Sequence, residues 1–111
     1  MSASIELRDN LRQMVAVLQT ERQALAGMDL EGIMGCATDK SALCGRMADV
    51  DAEVVDAECR GLLDAARRLN EVNRQVRNLI AANVSSRLDE LTGSPALYKA
   101  RPAYAYAGAR A

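Results

Sequence analysis

Residues 62–91 read LLDAARRLNEVNRQVRNLIAANVSSRLDEL. Leu62, Ala66, Leu69, Val76, Ile80, Val84, Leu88 and Leu91 recur at steps of three and four, and Asn73 fills one further step. Val72 and Leu79 widen the stripe. This is the spacing of one face of a long α-helix. Nothing inside the stretch is Pro, and Gly93-Ser94-Pro95 stops it. Upstream, Asp49, Asp51, Glu53, Asp56 and Glu58 gather with no base among them. Acids collect at helix N-termini, where the peptide dipoles stabilise negative charge. The reading therefore places a joint near Asp49 to Asp51 and runs this third helix from there to about Thr92. No Pro forbids the alternative, an unbroken helix through the acidic region.

Two shorter helices precede it. Residues 4–27 carry a heptad seam of Leu7, Leu11, Met14, Leu18, Glu21, Leu25 and Met28, with Ser2 or Ser4 available as the cap. Glu21 stands where an apolar residue belongs. Gly27 is the expected stop and Asp29 the cap of a second helix, from about Leu30 to Ala48. Its apolar residues are Leu30, Ile33, Met34, Ala37, Leu43, Cys44 and Met47. Gly32, Gly35 and Gly45 lie inside it, each costing up to ~1 kcal/mol relative to Ala, so this helix should be the weakest. A connection this short makes the first two helices an antiparallel hairpin. The expected fold is all-α: an antiparallel helical hairpin packed on a long C-terminal helix, coiled-coil-like, as a domain of residues 1–93. Residues 94–111 then form a flexible tail. At ~1.5 Å per residue a ~40-residue third helix is ~60 Å long, and a ~24-residue first helix covers little more than half of it. The uncovered remainder of its apolar stripe reads as a binding surface.

Composition narrows the function. The 111 residues carry a net charge of −1, which argues against a general nucleic-acid binder. There is no His, no Gly-rich phosphate loop and no nucleophile motif, so neither catalysis nor a cofactor is expected. Cys36, Cys44 and Cys59 lack metal-type spacing and read as reduced core residues of a cytoplasmic protein. No stretch has the roughly 20 apolar residues of a membrane span, and the N-terminus shows no signal-peptide pattern. Phe and Trp are absent, and the three aromatic residues, Tyr98, Tyr104 and Tyr106, all fall in the tail with Lys99, Arg101 and Arg110. A helical scaffold presenting such a tail points to a protein partner rather than a substrate.

Four polar residues interrupt the seams. Folding the hairpin about Asp29 brings Glu21 and Lys40 within about one turn of each other. They are either a cross-hairpin ion pair that sets helix register or two charges at the seam edge with their tips in water. Asn70 and Asn73 lie in the third seam, where a polar residue fixes register or partner number at a cost in stability, or is simply tolerated at an edge.

The run Leu69-Asn70-Glu71-Val72-Asn73, the pair Leu79-Ile80, then Leu88, Leu91 and Gly93 resemble the FlgN family of flagellar type III export chaperones. Glu21 to Leu25, the Asp29-Leu30-Glu31 triplet and Lys40 resemble the N-terminal half of that family. The likeness covers most of the chain in short pieces. The chain is shorter than is usual for the family, and its Tyr-Gly element has two candidates here, Tyr98 and Tyr106-Ala107-Gly108. The resemblance implies a chaperone for hook-associated junction proteins of the FlgK and FlgL type, which binds their C-terminal segments and delivers them to a component of the export gate. It places cargo on Leu79, Ile80, Val84, Leu88 and Leu91, with Tyr98 as a tail contact. The alternative is a structural coiled coil that self-associates, for instance as a homodimer, or an adaptor without cargo.

Overall fold

A computed structural model describes residues 2–93 of the chain; residue 1 and residues 94–111, with all three tyrosines, lie outside the described part. The described residues are all-α. Helix α1 spans Ala3–Ala26, α2 spans Leu30–Met47, a short 3₁₀ turn spans Ala52–Val54, and α3 spans Ala57–Thr92. The chain divides after Val76 into two compact units. The first holds α1, α2, the 3₁₀ turn and the early turns of α3; the second begins at Arg77.

In the first unit α1 packs against both α2 and α3. Met14 and Leu18 meet Leu43 of α2 and Ala66 of α3, while Leu7 and Leu11 meet Cys59. Val54, which ends the 3₁₀ turn, and Val55 after it close the second cluster. Each large aliphatic side chain removed from water here contributes roughly 1.5–3 kcal/mol. Of the α1 seam, Leu7, Leu11, Met14, Leu18, Glu21 and Leu25 are buried.

Caps set the helix ends. The Ser2 hydroxyl accepts from the Ile5 amide at 3.3 Å and starts α1. At the other end the left-handed residue is Met28, at φ 55°, and not the preceding Gly27, whose φ is −90°. The Met28 amide donates to the Leu25 carbonyl at 3.1 Å and the Asp29 amide to the Ala24 carbonyl at 2.9 Å, a Schellman closure. Asp29 then caps α2 with its carboxylate, which accepts from the Gly32 amide at 3.1 Å. One residue thus ends α1 with its backbone and begins α2 with its side chain, which is why the connection is so short. Gly32 leaves room for that cap: a Cβ would stand 2.5 Å from an Asp29 carboxylate oxygen and 3.2 Å from the Ala24 Cβ, so the carboxylate would have to shift.

Three sequence expectations are corrected. Met28 is 60 % exposed, because it occupies the turn and not the seam. On α2, Leu30, Met34, Ala37 and Cys44 are exposed, whereas Cys36 and Leu43 are buried as expected. Cys44 is therefore no core residue, whereas Cys36 and Cys59 are. The third helix begins at Ala57, later than the Asp49–Asp51 joint, since Asp56 supplies the cap by accepting from the Cys59 amide at 2.8 Å. Two of the five acids have cationic partners on α1: Arg8 lies 3.4 Å from Glu58 and 3.9 Å from Asp56, and Arg12 lies 2.5 Å from Glu58.

In the second unit, the α3 residues from Arg77 to Thr92 include none that is fully buried.

Candidate functional site

In the first unit, Glu21, Lys40, Asn70 and Asn73 come together in one polar node that ties all three helices. Glu21, on the seam of α1, is only 3 % exposed. The Lys40 ammonium of α2 reaches its two carboxylate oxygens at 3.3 and 3.4 Å. The same ammonium donates to the Asn70 side-chain carbonyl of α3 at 3.1 Å. The Asn73 amide nitrogen donates to Glu21 at 2.8 Å and to the Leu18 carbonyl at 2.9 Å. Asn73 is fully buried. Its side-chain oxygen has no hydrogen-bond partner among the described residues. Turning the amide over would point that oxygen at two acceptors, so the donor side is fixed by its neighbours.

The chemistry of the node is structural. A carboxylate removed from water must be paired and hydrogen-bonded. Here α2 supplies the charge and α3 the amide. Sliding any one helix by a turn, about 5.4 Å, would strand Glu21 among aliphatic side chains. Sequence reasoning singled out these four residues but not the Leu18 carbonyl, since a backbone acceptor carries no residue-specific signal. It also passed over Arg8 and Arg12, whose i,i+4 spacing on α1 was the available cue to a partner for the acidic connection.

In the second unit one face of α3 carries large aliphatic side chains with little cover. Leu91 is 82 % exposed, Val84 and Leu88 are also exposed, and Ile80 is half-buried. At ~100° of rotation per residue, Ile80, Val84, Leu88 and Leu91 fall within one sector of about 80°. Leu79 lies ~100° away from Ile80 on a separate flank and is 70 % exposed. The helix therefore groups four of the five expected cargo residues and sets the fifth aside. Tyr98 lies outside the described residues.

Reactive groups are few. Burial pushes the Cys36 thiol up, with the nearby Glu21 charge adding to it. Burial likewise raises the Cys59 thiol, and Asp56 adds to the effect. Both are thus held as inert thiols at neutral pH. No group of three or more His, Cys, Asp or Glu side chains among the described residues could hold a metal ion. No described helix is long and apolar enough to cross a membrane.

The chain matches no known family model, no curated protein and no solved structure.

Proposed function

We propose that the protein is a non-enzymatic, cytoplasmic export chaperone of the FlgN type. It holds the C-terminal segments of hook-associated junction proteins of the FlgK and FlgL type and presents them to the flagellar type III export gate. The observation that carries this reading is the open stripe of Ile80, Val84, Leu88 and Leu91, on a helix stretch that buries no residue of its own. Soluble domains rarely leave large aliphatic side chains in a row without a partner. The row has the i, i+4, i+8, i+11 spacing that suits an amphipathic segment laid along it. A disordered segment that folds as it docks spends much of its contact energy on ordering, which favours the moderate affinity a delivery chaperone needs for release.

The test is pull-down of a FlgK- or FlgL-type C-terminal segment by wild type, Leu88→Asp and Leu91→Asp, with helix content followed by circular dichroism. Both variants should lose the cargo and keep their helix content. Capture of cargo at wild-type level by both would remove this surface from the proposal. A stable oligomer at every concentration that takes up no cargo would favour the self-associating coiled coil. Asn73, which could have served such a seam, spends its donors within its own chain.

A further inference from the structure

A second apolar surface lies wholly within the first unit and shares no residue with the stripe assigned to cargo. It is an open crevice of about 240 Å³ between α2 and α3, floored by Leu11, Met14 and Leu18 of α1. Its α2 wall is Lys40, Cys44 and Met47, and its α3 wall includes Leu63, Ala66 and Asn70. Both walls repeat at steps of three and four over two turns. That is the pattern of holes into which one further helix sets its knobs. Exposed small residues, Ser41 and Ala37, lie on the same side of α2 one and two turns before Cys44, and Ala48 caps the helix a turn beyond it. They would let a helix backbone come close.

The charge of the rim selects the occupant. Arg67 lines the crevice, which has no acid in its lining. Arg60 and Arg74 stand seven residues to either side of it, so the three guanidinium groups run along one edge of α3, with the acids Asp64 and Glu71 alternating between them. Glu71 holds Arg74 at 2.6 Å. Arg60 and Arg67 are exposed and make no ion pair among the described residues. Two unpaired arginines at heptad spacing beside an apolar trough match acids at heptad spacing beside an apolar seam.

We propose that this crevice docks an amphipathic helix of a partner protein, with acidic residues at seven-residue spacing on the flank that meets Arg60 and Arg67. The docked helix would complete a four-helix bundle with α1, α2 and α3. Lys40 sits at the end of the trough where it already bridges Glu21 and Asn70, so the node that sets register also closes one end of the site.

Cys44 is the reporter, because it lines the crevice and is exposed, while Cys36 and Cys59 are buried. The probes are two synthetic 21-residue peptides with Leu at the seam positions and either Glu or Lys at the flanks. With the full chain, the Glu peptide should slow alkylation of Cys44 by tenfold or more, and the Lys peptide should not. Arg60→Glu with Arg67→Glu should reverse that preference, with Cys59 reactivity unchanged as the check that the unit stays folded. Equal protection by both peptides, or protection by neither, would overturn the proposal. Protection that grows with protein concentration in the absence of peptide would overturn it in favour of a second copy of this chain.

Discussion

Removing Lys40 should harm this protein far more than removing Glu21, although the two residues form one ion pair. The Lys40 side chain is 23 % exposed and that of Glu21 only 4 %. Lys40→Met takes the cation from a buried carboxylate, a change that costs roughly 3–5 kcal/mol. Glu21→Leu leaves an ammonium that can turn to water and still holds Asn70. It removes one of the two bonds from the buried Asn73 amide, at roughly 1–3 kcal/mol, and places an aliphatic side chain in the α1 seam worth roughly 1.5–3 kcal/mol. The single change should therefore be close to neutral, within about 1 kcal/mol. The double variant exchanges the pair for two apolar side chains and should also lie near wild type. The coupling energy expected from the cycle is therefore about 3–5 kcal/mol. Domains of this kind have ~5–15 kcal/mol of total stability, so Lys40→Met should show an obvious loss and Glu21→Leu on that background an obvious rescue. Urea unfolding of the four proteins, followed by helix content, gives every term. A coupling below about 0.5 kcal/mol, or a Glu21→Leu variant less stable than Lys40→Met, would refute the account of the node.

Two further outcomes test the hairpin and the start of α3. Met28→Gly should raise stability by ~0.5–1 kcal/mol and the unfolding temperature by a few degrees, because the residue is exposed at φ 55° and a side chain there is strained; a loss measured by thermal unfolding would return Met28 to the seam. The Cys59 amide, together with Arg8, holds the Asp56 carboxyl below its ordinary value of 3.8. A carboxyl lowered on folding stabilises the fold above that ordinary value and stops doing so as the pH falls through its lowered one. Asp56→Ala should therefore have a lower urea midpoint than wild type at pH 6, and the gap should narrow below about pH 3.8; a gap that stays constant down to pH 2.5 would show that the carboxylate is not the cause.

Patterning alone carried the architecture a long way. The seam of α1, the Asp29 cap and the end of α3 at Thr92 are legible because helix period, capping chemistry and Gly-Ser-Pro punctuation act over a few neighbouring residues. The positions of Glu21 and Lys40 were legible for the same reason: a short hairpin has only one register in which both seams close. The gathering of Ile80, Val84, Leu88 and Leu91 on one face follows from helical spacing in the same way.

Other features depended on the packed chain. Which of Gly27 and Met28 takes the left-handed turn depends on how α2 leaves Asp29, and Met28 accepts the strain because the Schellman bonds hold it there. Which cysteine is buried depends on packing between the helices: Cys36 lies near Glu21 of α1, whereas Cys44 opens onto the crevice beside α3. The pairing of Arg8 and Arg12 with Asp56 and Glu58, some fifty residues away in the chain, likewise exists only in the packed structure. Asn73 shows the division most clearly. Its place in the seam could be read from a repeat of three and four, but its two acceptors lie on another helix, one of them a backbone carbonyl. Local sequence determined the helices and the faces they present; tertiary packing decided which polar groups those faces bring into contact, because such contacts join residues far apart in the chain.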